Sequence, residues 1–528
     1  MASTPSGLDR RAFLGAALAA GAAAALPLEA GPARVKLDVV GKDMAFLAEG
    51  LRARRWSSVD LVQAYSARIG VVDRKLQAVV ELNPDALALA AQLDRERREG
   101  QLRGPLHGLP ILLKDNLDTA DRMKTTAGSL ALLDAPPPRA DAFVVQRLRA
   151  AGALLLGKAN LSEWANFRST HSLSGWSGRG GQTRNPHALN RSPSGSSSGS
   201  AVAVAASFCA AAVGTETDGS IVSPAQANGV VGLKPTVGLL SRRGIIPISA
   251  SQDTAGPMAR TVRDAALMLS AMAGLDPGDP ATAAAEGHLA PDYTRFLVAD
   301  GLKGARLGLI RNLVGQHPGV DAVFEPALAR LKALGATVVD VELRTSAYEA
   351  AELEVLLFEF KAGLEAYLAQ RGGKLRSLAD LIAFNRKVGA RELGPFGQEL
   401  FELAQAKGPL TDADYLKALE ACRKGARTEG IDAALAKAGV DALIGPTGAP
   451  AWLIDPVNGD SSGFSASTAP AVAGYPHLTV PMGFTRGLPV GLSFIGPAWS
   501  EGLLLRFGHA YEQATHGRRE PKLRSSAG

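Results

Sequence analysis

The sequence predicts an α/β protein whose sheet is covered by helices, and three observations support this. The chain has 528 residues, 46% hydrophobic and 20% charged, so it is globular and can bury a large core. It holds 58 glycines, and its helical segments are rich in alanine. A helix predicted over 141–151 leads into an apolar strand over 153–156. With the apolar run at 109–113 this gives a strand–loop–helix–strand succession, and apolar strands are typical of a covered sheet.

The first 33 residues predict an export signal. The segment 9–14 (DRRAFL) resembles a twin-arginine motif, and 15–26 is a short Ala/Leu-rich apolar core. Small residues near Ala30 and Ala33 suit a cleavage region, and the apolar run is too short for a comfortable membrane span. We therefore expect export to a bacterial periplasm by the twin-arginine route, without stable membrane insertion. The alternative is a disordered Ala-rich tail.

The remaining elements follow from periodicity and turn signals. Residues 43–101 have helical spacing, and Ser57 followed by Asp60 predicts a capping box. Residues 305–310 predict a strand, and 320–440 predict mostly helices with charged faces. Strand and turn segments follow at 443–450, 475–483 and 489–496. We expect one domain over 34–515, followed by a basic, disordered tail over 516–528.

Composition excludes several function classes. The net charge is +6, but no Lys/Arg cluster is interleaved with aromatic residues, which argues against nucleic-acid binding. No Cys/His spacing resembles a zinc site. Cys209 lies in an apolar run and is expected to be a buried small hydrophobe. The sequence does not settle whether it pairs with Cys422.

The stretch 191–235 carries the chemistry. A Gly/Ser loop at 194–200 precedes an apolar run at 201–213, predicted as a buried helix, and a second polar turn follows at 215–220. Serine supplies a nucleophile only where a base activates it. A flexible Gly/Ser linker is one alternative, although linkers are not followed at once by a long apolar segment.

A nucleophile elbow is a second alternative for the same loop. Residues 195–199 match G-x-S-x-G, which would make Ser197 the nucleophile and would need a late histidine such as His477 or His509. The elbow should follow a buried strand. The preceding residues 183–193 are polar, contain two prolines and make a poor strand.

The order of segments resembles the amidase signature family, whose members carry a Ser–Ser–Lys triad. The chain has the Gly/Ser loop, an Ala/Val run, then T-D-G-S-I and G-L-K-P-T. The resemblance implies that Ser196 is the bridging serine and Ser220 the nucleophile. Ser194 and Ser198 stand where the family often has glycine, and Asp218 stands where many members have glycine.

The segment 109–116 (LPILLKDN) resembles the family's G-x-P-x-x-x-K-D motif and supplies the third member, Lys114. A lysine that enters the interior has a lowered pKa. The resemblance also implies a cis bond between Gly195 and Ser196, and no metal or organic cofactor. It further implies an oxyanion hole built from the backbone N–H groups of Thr217, Asp218, Gly219 and Ser220.

The resemblance implies a central mixed sheet covered on both faces by helices, with its most specific motifs between about 107 and 264 and a helical substrate-pocket region at about 320–440. It implies hydrolysis of a carboxamide through an acyl-enzyme. Segments 160–167 and 174–185 are most similar to bacterial peptide amidases, which remove the C-terminal amide of peptides. Their residues Trp164 and Trp176 are candidates for the mouth of the pocket or for the core.

Other functions stay open at this point. The substrate is a peptide amide or a small aryl, aliphatic, fatty or amino-acid amide. Two hypotheses from other classes are the amide-hydrolysing component of a tRNA-dependent amidotransferase and a non-catalytic periplasmic binding protein. The oligomeric state cannot be derived from the sequence.

Overall fold

An eleven-stranded mixed sheet forms the centre of the computed structural model, which describes residues 37–346 and 348–528. The predicted export signal lies outside these residues. The strand order is β1-β3-β2-β6-β8-β7-β12-β13-β11-β9-β10. The sheet strands are β1 (Val79–Leu82), β2 (Pro110–Lys114), β3 (Leu154–Ala159), β6 (Ala211–Glu216), β7 (Val231–Lys234), β8 (Thr254–Ala259), β9 (Arg306–Ile310), β10 (Thr337–Val341), β11 (Ala442–Pro446), β12 (His477–Thr485) and β13 (Leu488–Ile495).

The sheet combines both pairing directions, as predicted. Strand β2 pairs in parallel with β3 and β6, and β9 pairs in parallel with β10 and β11. The other neighbours are antiparallel. A separate two-stranded ribbon is formed by β4 (Trp176–Ser177) and β5 (Gly181–Gln182). Strand β2 is fully buried, which agrees with its continuous apolar sequence.

Sixteen α-helices of the described part of the chain flank the sheet. They are α1 (Met44–Arg52), α2 (Ser58–Leu76), α3 (Ala86–Arg98), α4 (Phe143–Ala150), α5 (Ser198–Ala205), α6 (Val222–Ala227), α7 (Val262–Met272), α8 (Pro318–Ala333), α9 (Glu349–Arg371), α10 (Leu378–Val388), α11 (Ala390–Leu393), α12 (Glu399–Gln405), α13 (Ala413–Arg423), α14 (Asp432–Ala438), α15 (Thr468–Ala473) and α16 (Glu501–Thr515).

The predicted N-terminal helices are present, with one interruption. Helix α2 begins at the predicted capping box, in which the Ser57 side chain accepts from the Asp60 backbone N–H and the Asp60 carboxylate accepts from Ser57 N–H. Strand β1 separates α2 from α3 and was not predicted. Its four residues pair antiparallel with β3, so a long-range contact decides its conformation.

The apolar run at 201–213 is not one helix. Helix α5 ends at Ala205, the chain turns at Ser207 with a φ of 59°, and strand β6 begins at Ala211. All residues from Ser198 to Glu216 are buried. A buried helix and a buried strand are both apolar, so hydrophobicity alone does not show where one changes into the other.

The C-terminal segment differs from the expected disordered tail. The Leu523 N–H donates to the Pro186 carbonyl, and Leu189 N–H donates to the Arg524 carbonyl. The segment therefore lies against the loop before the Gly/Ser turn. Its backbone hydrogen bonds to that loop offset the loss of chain entropy that its ordering costs.

Three further findings concern the cysteines, metal binding and membrane-spanning helices. Cys209 and Cys422 are both buried free thiols. Within residues 37–346 and 348–528, no group of acidic, histidine and cysteine side chains is arranged to hold a metal ion. No helix of that same part of the chain is long and apolar enough to cross a membrane.

Candidate active site

Lys114, the last residue of β2, lies at the centre of a buried polar site. Its side chain is fully buried, and its Nζ lies 2.8 Å from Ser196 Oγ. The same Nζ lies 2.8 Å from Thr215 Oγ1 and 3.1 Å from the Thr215 carbonyl oxygen. Because β2 and β6 are parallel neighbours, the end of β2 carries the lysine directly to Thr215 near the end of β6.

Burial controls the protonation of this lysine. Loss of hydration lowers the pKa of Lys114 to about 7, while the negative charges of Asp253 and Glu216 act in the opposite direction. No carboxylate of the described residues forms an ion pair with Lys114. A substantial fraction of neutral amine is therefore present near neutral pH, which is the property that a proton acceptor needs.

The Gly/Ser loop presents two serines to different partners. Ser196 follows a cis peptide bond after Gly195, as the resemblance implies, and its hydroxyl meets Lys114. The Ser197 hydroxyl instead donates to the Thr215 carbonyl at 3.0 Å and accepts from Thr215 N–H at 3.2 Å. Ser197 thus fastens the loop to β6.

The nucleophile-elbow alternative does not fit this geometry. The Ser197 hydroxyl both donates to and accepts from the backbone of Thr215. His477 Nε2 instead lies 2.6 Å from Ser493 Oγ, between two strands. Neither His477 nor His509 has a hydrogen bond with Ser197 among the residues that the structure describes.

Ser220 lies in the turn between β6 and α6, beside the Gly/Ser loop. Its carbonyl accepts from Ser197 N–H at 3.1 Å, which joins the two turns. Ser220 is 7% exposed, and its hydroxyl makes no hydrogen bond to any described residue. Lys114, Ser196 and Ser220 are therefore brought into one site, although no hydrogen bond joins the two serine hydroxyls in the described structure.

The backbone of this turn offers unused donors. Gly219 has a φ of +78°, a conformation that favours glycine, and a Cβ there would meet Ser223 Oγ and Ser467 Oγ at 2.9 Å. In the described part of the chain, the backbone N–H groups of Asp218, Gly219 and Ser220 donate no hydrogen bond. Adjacent free N–H groups can bind an anionic oxygen.

Two carboxylates hold the turn in place. Glu216 Oε2 accepts from the backbone N–H groups of Ile221 at 2.7 Å and Val222 at 3.0 Å. Asp253 Oδ1 accepts from Thr217 Oγ1 at 2.6 Å. These contacts fix the turn at both ends. Asp253 also accepts from two backbone N–H groups of its own loop, which supports a structural role for it.

Three residues of this site were not assigned from the sequence. They are Thr215, Glu216 and Ser197, the last in its role of fastening the loop to β6. Thr215 Oγ1 accepts hydrogen bonds from Lys114 Nζ and from Asn116 Nδ2. The available signal was a polar pair at the end of an apolar strand, since Thr215 and Glu216 are the last two residues of the buried strand β6. A buried polar residue in such a place needs a partner, but the sequence does not name the partner.

The two tryptophans of the preceding loops are packing residues. Trp164 is 2% exposed, and its ring lies edge-on to Phe401 of α12 with centroids 5.6 Å apart. Trp176 lies edge-on to Phe396 at 5.2 Å. Both rings therefore join the loops before the Gly/Ser turn to the helical region, which favours the core alternative over an exposed pocket mouth.

Comparisons with known proteins agree on one family. The family model named Amidase matches residues 60–505. A protein of Arabidopsis thaliana described as a probable amidase is 42% identical over 481 residues, covering 89% of each chain. A glutamyl-tRNA(Gln) amidotransferase chain of Carboxydothermus hydrogenoformans is 37% identical over 500 residues, covering 90% of this chain and 98% of its own.

A solved structure is similar over nearly the whole fold. The native peptide amidase from Stenotrophomonas maltophilia is 56% identical, with a TM-score of 0.88. The match covers 92% of this chain and 99% of that one. The likeness is therefore to the complete fold of that enzyme and not to a part of it.

Proposed function

This chain belongs to the amidase family and hydrolyses amides with a serine nucleophile, and we propose that Ser220 is that nucleophile, with Ser196 as bridging serine and Lys114 as base. The observation that carries the proposal is the 2.8 Å contact between Lys114 Nζ and Ser196 Oγ in a fully buried site. A serine beside a lysine of lowered pKa meets the requirement for an activated nucleophile.

The hydrogen bonds around Lys114 suit a neutral amine. A neutral lysine amine has two N–H groups and one lone pair. Two oxygens of Thr215 lie within reach of the N–H groups, which leaves the lone pair for the hydroxyl proton of Ser196. Ser196 Oγ then accepts the proton of Ser220 as the Ser220 oxygen attacks the carbonyl carbon of the amide.

The developing negative charge has donors in place. The oxygen of the tetrahedral intermediate is held by backbone N–H groups of the turn at 217–220. Each such donor contributes about 2.7–4 kcal/mol to the lowering of the barrier in other hydrolases. Glu216 and Asp253 keep the turn in the conformation that leaves these groups free.

The reaction then runs to completion in two steps. The proton returns from Lys114 through Ser196 to the leaving nitrogen, and the C–N bond breaks to release ammonia. Water attacks the resulting ester of Ser220, its proton passes to the same relay, and the carboxylic acid leaves. Every proton in this scheme is accounted for by Lys114 and the two serines.

The proposed substrate is a C-terminally amidated peptide. This is supported by the 56% identity to the Stenotrophomonas maltophilia peptide amidase. Small aryl, aliphatic and amino-acid amides are the alternative. An amidotransferase role is supported by relatives at 37–39% identity and requires a protein partner and tRNA, so co-purification of both would establish it.

We also propose export to the bacterial periplasm through residues 1–33. The support is the motif at Arg10 and Arg11 followed by a short apolar core. Replacing both arginines with lysine should leave the protein in the cytoplasm of a bacterial host, as fractionation and immunoblotting would show. Unchanged periplasmic accumulation would contradict the proposal.

The test of activity is ammonia release from a panel of peptide, aryl, fatty and amino-acid amides. Ser220→Ala should reduce the rate to background for every amide that the native enzyme cleaves. Ser223→Ala is the matched control, because this serine lies one turn further along in α6 and has no assigned role. Equal rates for native enzyme and Ser220→Ala would remove Ser220 from its proposed role.

A further inference from the structure

Gln252 contacts the backbone of the turn that carries Ser220, and the reaction above does not use it. Strand β8 pairs antiparallel with β6, with Thr254 opposite Glu216, so the residues just before β8 lie beside the turn that follows β6. Gln252 is 1% exposed, and its Nε2 donates to the Thr217 carbonyl at 3.3 Å. A buried side-chain amide therefore meets the turn at the residue where the proposed oxyanion donors begin.

Two acceptors fix the orientation of this amide. The Nε2 of Gln252 also donates to Glu352 Oε1 of α9 at 2.8 Å, so both of its N–H groups are used. The Thr217 carbonyl can only accept a hydrogen bond, so turning the amide over would place two oxygens against each other. Gln252 is therefore held by α9 on one side and holds Thr217 on the other.

Helix α9 anchors the loop that carries Gln252 at a second point. Glu359 Oε2 accepts from the backbone N–H of Ser251 at 2.9 Å and from the Ser251 hydroxyl at 3.0 Å. The Tyr415 hydroxyl of α13 donates to the other oxygen of Glu359 at 2.7 Å. Two carboxyl groups of one helix thus hold adjacent residues of the loop. The position of Gln252 therefore depends on α9 and not only on the turn.

The hydrogen bond to the Thr217 carbonyl also acts on the N–H of Asp218. The peptide between these two residues is trans. In a planar trans peptide the carbonyl and the following N–H point in opposite directions, so a donor that fixes the carbonyl also fixes the N–H. The Asp218 N–H donates to no residue that the structure describes. A hydrogen bond at the carbonyl polarises the peptide and makes this free N–H a stronger donor.

We infer that Gln252 is a positioning residue, which orients and polarises the Asp218 N–H for the oxygen of the tetrahedral intermediate. Glu352 acts through Gln252, as its support on α9. An interaction that strengthens only as charge develops on that oxygen raises kcat and leaves substrate binding unchanged. The inference rests on the proposed oxyanion role of the turn, and it extends the support of that turn to helix α9.

Gln252→Met tests this role, because methionine has a similar length and no N–H donor. It should lower kcat about tenfold and leave KM within about twofold, for the amide that the native enzyme hydrolyses fastest. Removal of a whole oxyanion donor costs about 10²–10³-fold in other hydrolases, and here the loss is smaller because the Asp218 N–H remains.

Gln398→Met is the matched control. Gln398 is 5% exposed, and its amide has hydrogen bonds with Asn385 and Glu402 within the helical region. It contacts no part of the Ser220 turn among the described residues. This variant should lose stability but keep the kcat and KM of the native enzyme.

Glu352→Ala tests the support from α9 without changing Gln252. It removes one of the two acceptors of the Gln252 amide and should lower kcat with KM unchanged. Adding it to Gln252→Met should lower kcat little further, since both changes release the same peptide. Glu352→Gln keeps an acceptor oxygen and should restore most of the lost rate. If Gln252→Met does not fold, Glu352→Ala provides the same test.

Inhibition by an aldehyde separates positioning from a general loss of structure. Ser220 Oγ adds to the aldehyde carbon of N-acetyl-norleucinal, the Ser220 proton passes through Ser196 to Lys114, and the aldehyde oxygen takes up the negative charge. N-acetyl-norleucinol has no carbonyl and forms no such adduct. Gln252→Met should raise the Ki of the aldehyde about tenfold and leave the Ki of the alcohol unchanged.

The ratio of these two Ki values is measured within one preparation and does not depend on its folded fraction. An unchanged ratio in Gln252→Met, a native kcat, or a raised KM with native kcat would overturn the positioning role while amide hydrolysis itself stands. A native enzyme that hydrolyses no amide, or a Ser220→Ala variant of native rate, would overturn the proposed function and the positioning role with it.

Discussion

At the scale of a single residue, the surroundings of Lys114 determine its protonation state. It ends a fully buried strand, and burial brings its pKa down to about 7. The protonated form dominates below that value and cannot accept the proton of Ser196. The neutral form dominates above it and can do so. The resemblance suggested this residue and its burial, but the hydrogen bonds to Thr215 that orient the amine came only from the structure.

The pH dependence of catalysis follows from this pKa. We predict that kcat/KM for a neutral amide rises as pH increases from about 5, with a midpoint near 7, and then levels off. Lys114→Arg, which stays charged, should lower kcat/KM by about 10²–10⁴-fold across the range. Steady-state kinetics between about pH 5 and 9 would measure both. A pH profile of kcat/KM that does not rise near pH 7, or an active Lys114→Arg variant, would exclude Lys114 as the base.

At the scale of the element, the turn between β6 and α6 determines the position of Ser220. The Glu216 carboxylate holds the N–H groups of Ile221 and Val222, and so fixes the start of α6 directly after Ser220. The segment T-D-G-S-I predicted that a turn exists. It did not predict the capping carboxylate, since the bonded atoms meet only after the chain has reversed.

We predict that Glu216→Ala lowers the free energy of unfolding by about 1–3 kcal/mol, because two buried N–H groups lose their acceptor. It should also lower kcat more than it raises KM, since the oxyanion donors belong to the same turn. Glu216→Gln keeps one acceptor oxygen and is expected to retain most of both properties. Urea denaturation and steady-state kinetics would check this. An Ala variant of native stability and native kcat would contradict it.

Elements with their own local signals were predicted well. The capping box of α2 was correct, and so were the strand at 305–310 and the strand segments near the C-terminus. Strand β1, the change from helix to strand near Ser207 and the ordered C-terminal segment were missed. Each of these depends on contacts with a distant part of the chain. Composition and periodicity do not predict such contacts.

At the scale of the whole molecule, contacts join the part of the chain around the sheet to the helical region. Glu392 of α11 accepts a hydrogen bond from the Ser129 hydroxyl, and Trp164 lies against Phe401. These contacts join residues that are far apart in the sequence. The helices of 349–423 were predicted as helices, and the resemblance implied a substrate pocket in that part of the chain. The individual contacts, such as the hydrogen bond from Gln252 to Glu352, did not follow from the sequence. Specificity is therefore where sequence reasoning was weakest.

The most direct test of the mechanism is to trap the acyl-enzyme. The native protein is mixed with a reactive p-nitrophenyl ester of an N-acylated amino acid, quenched with acid, and digested for peptide mapping by mass spectrometry. We predict an acyl group on Ser220, its absence in Ser220→Ala, and its slow formation in Lys114→Arg. An acyl group on Ser196 or Ser197, or unchanged labelling of the Ser220→Ala variant, would contradict the mechanism.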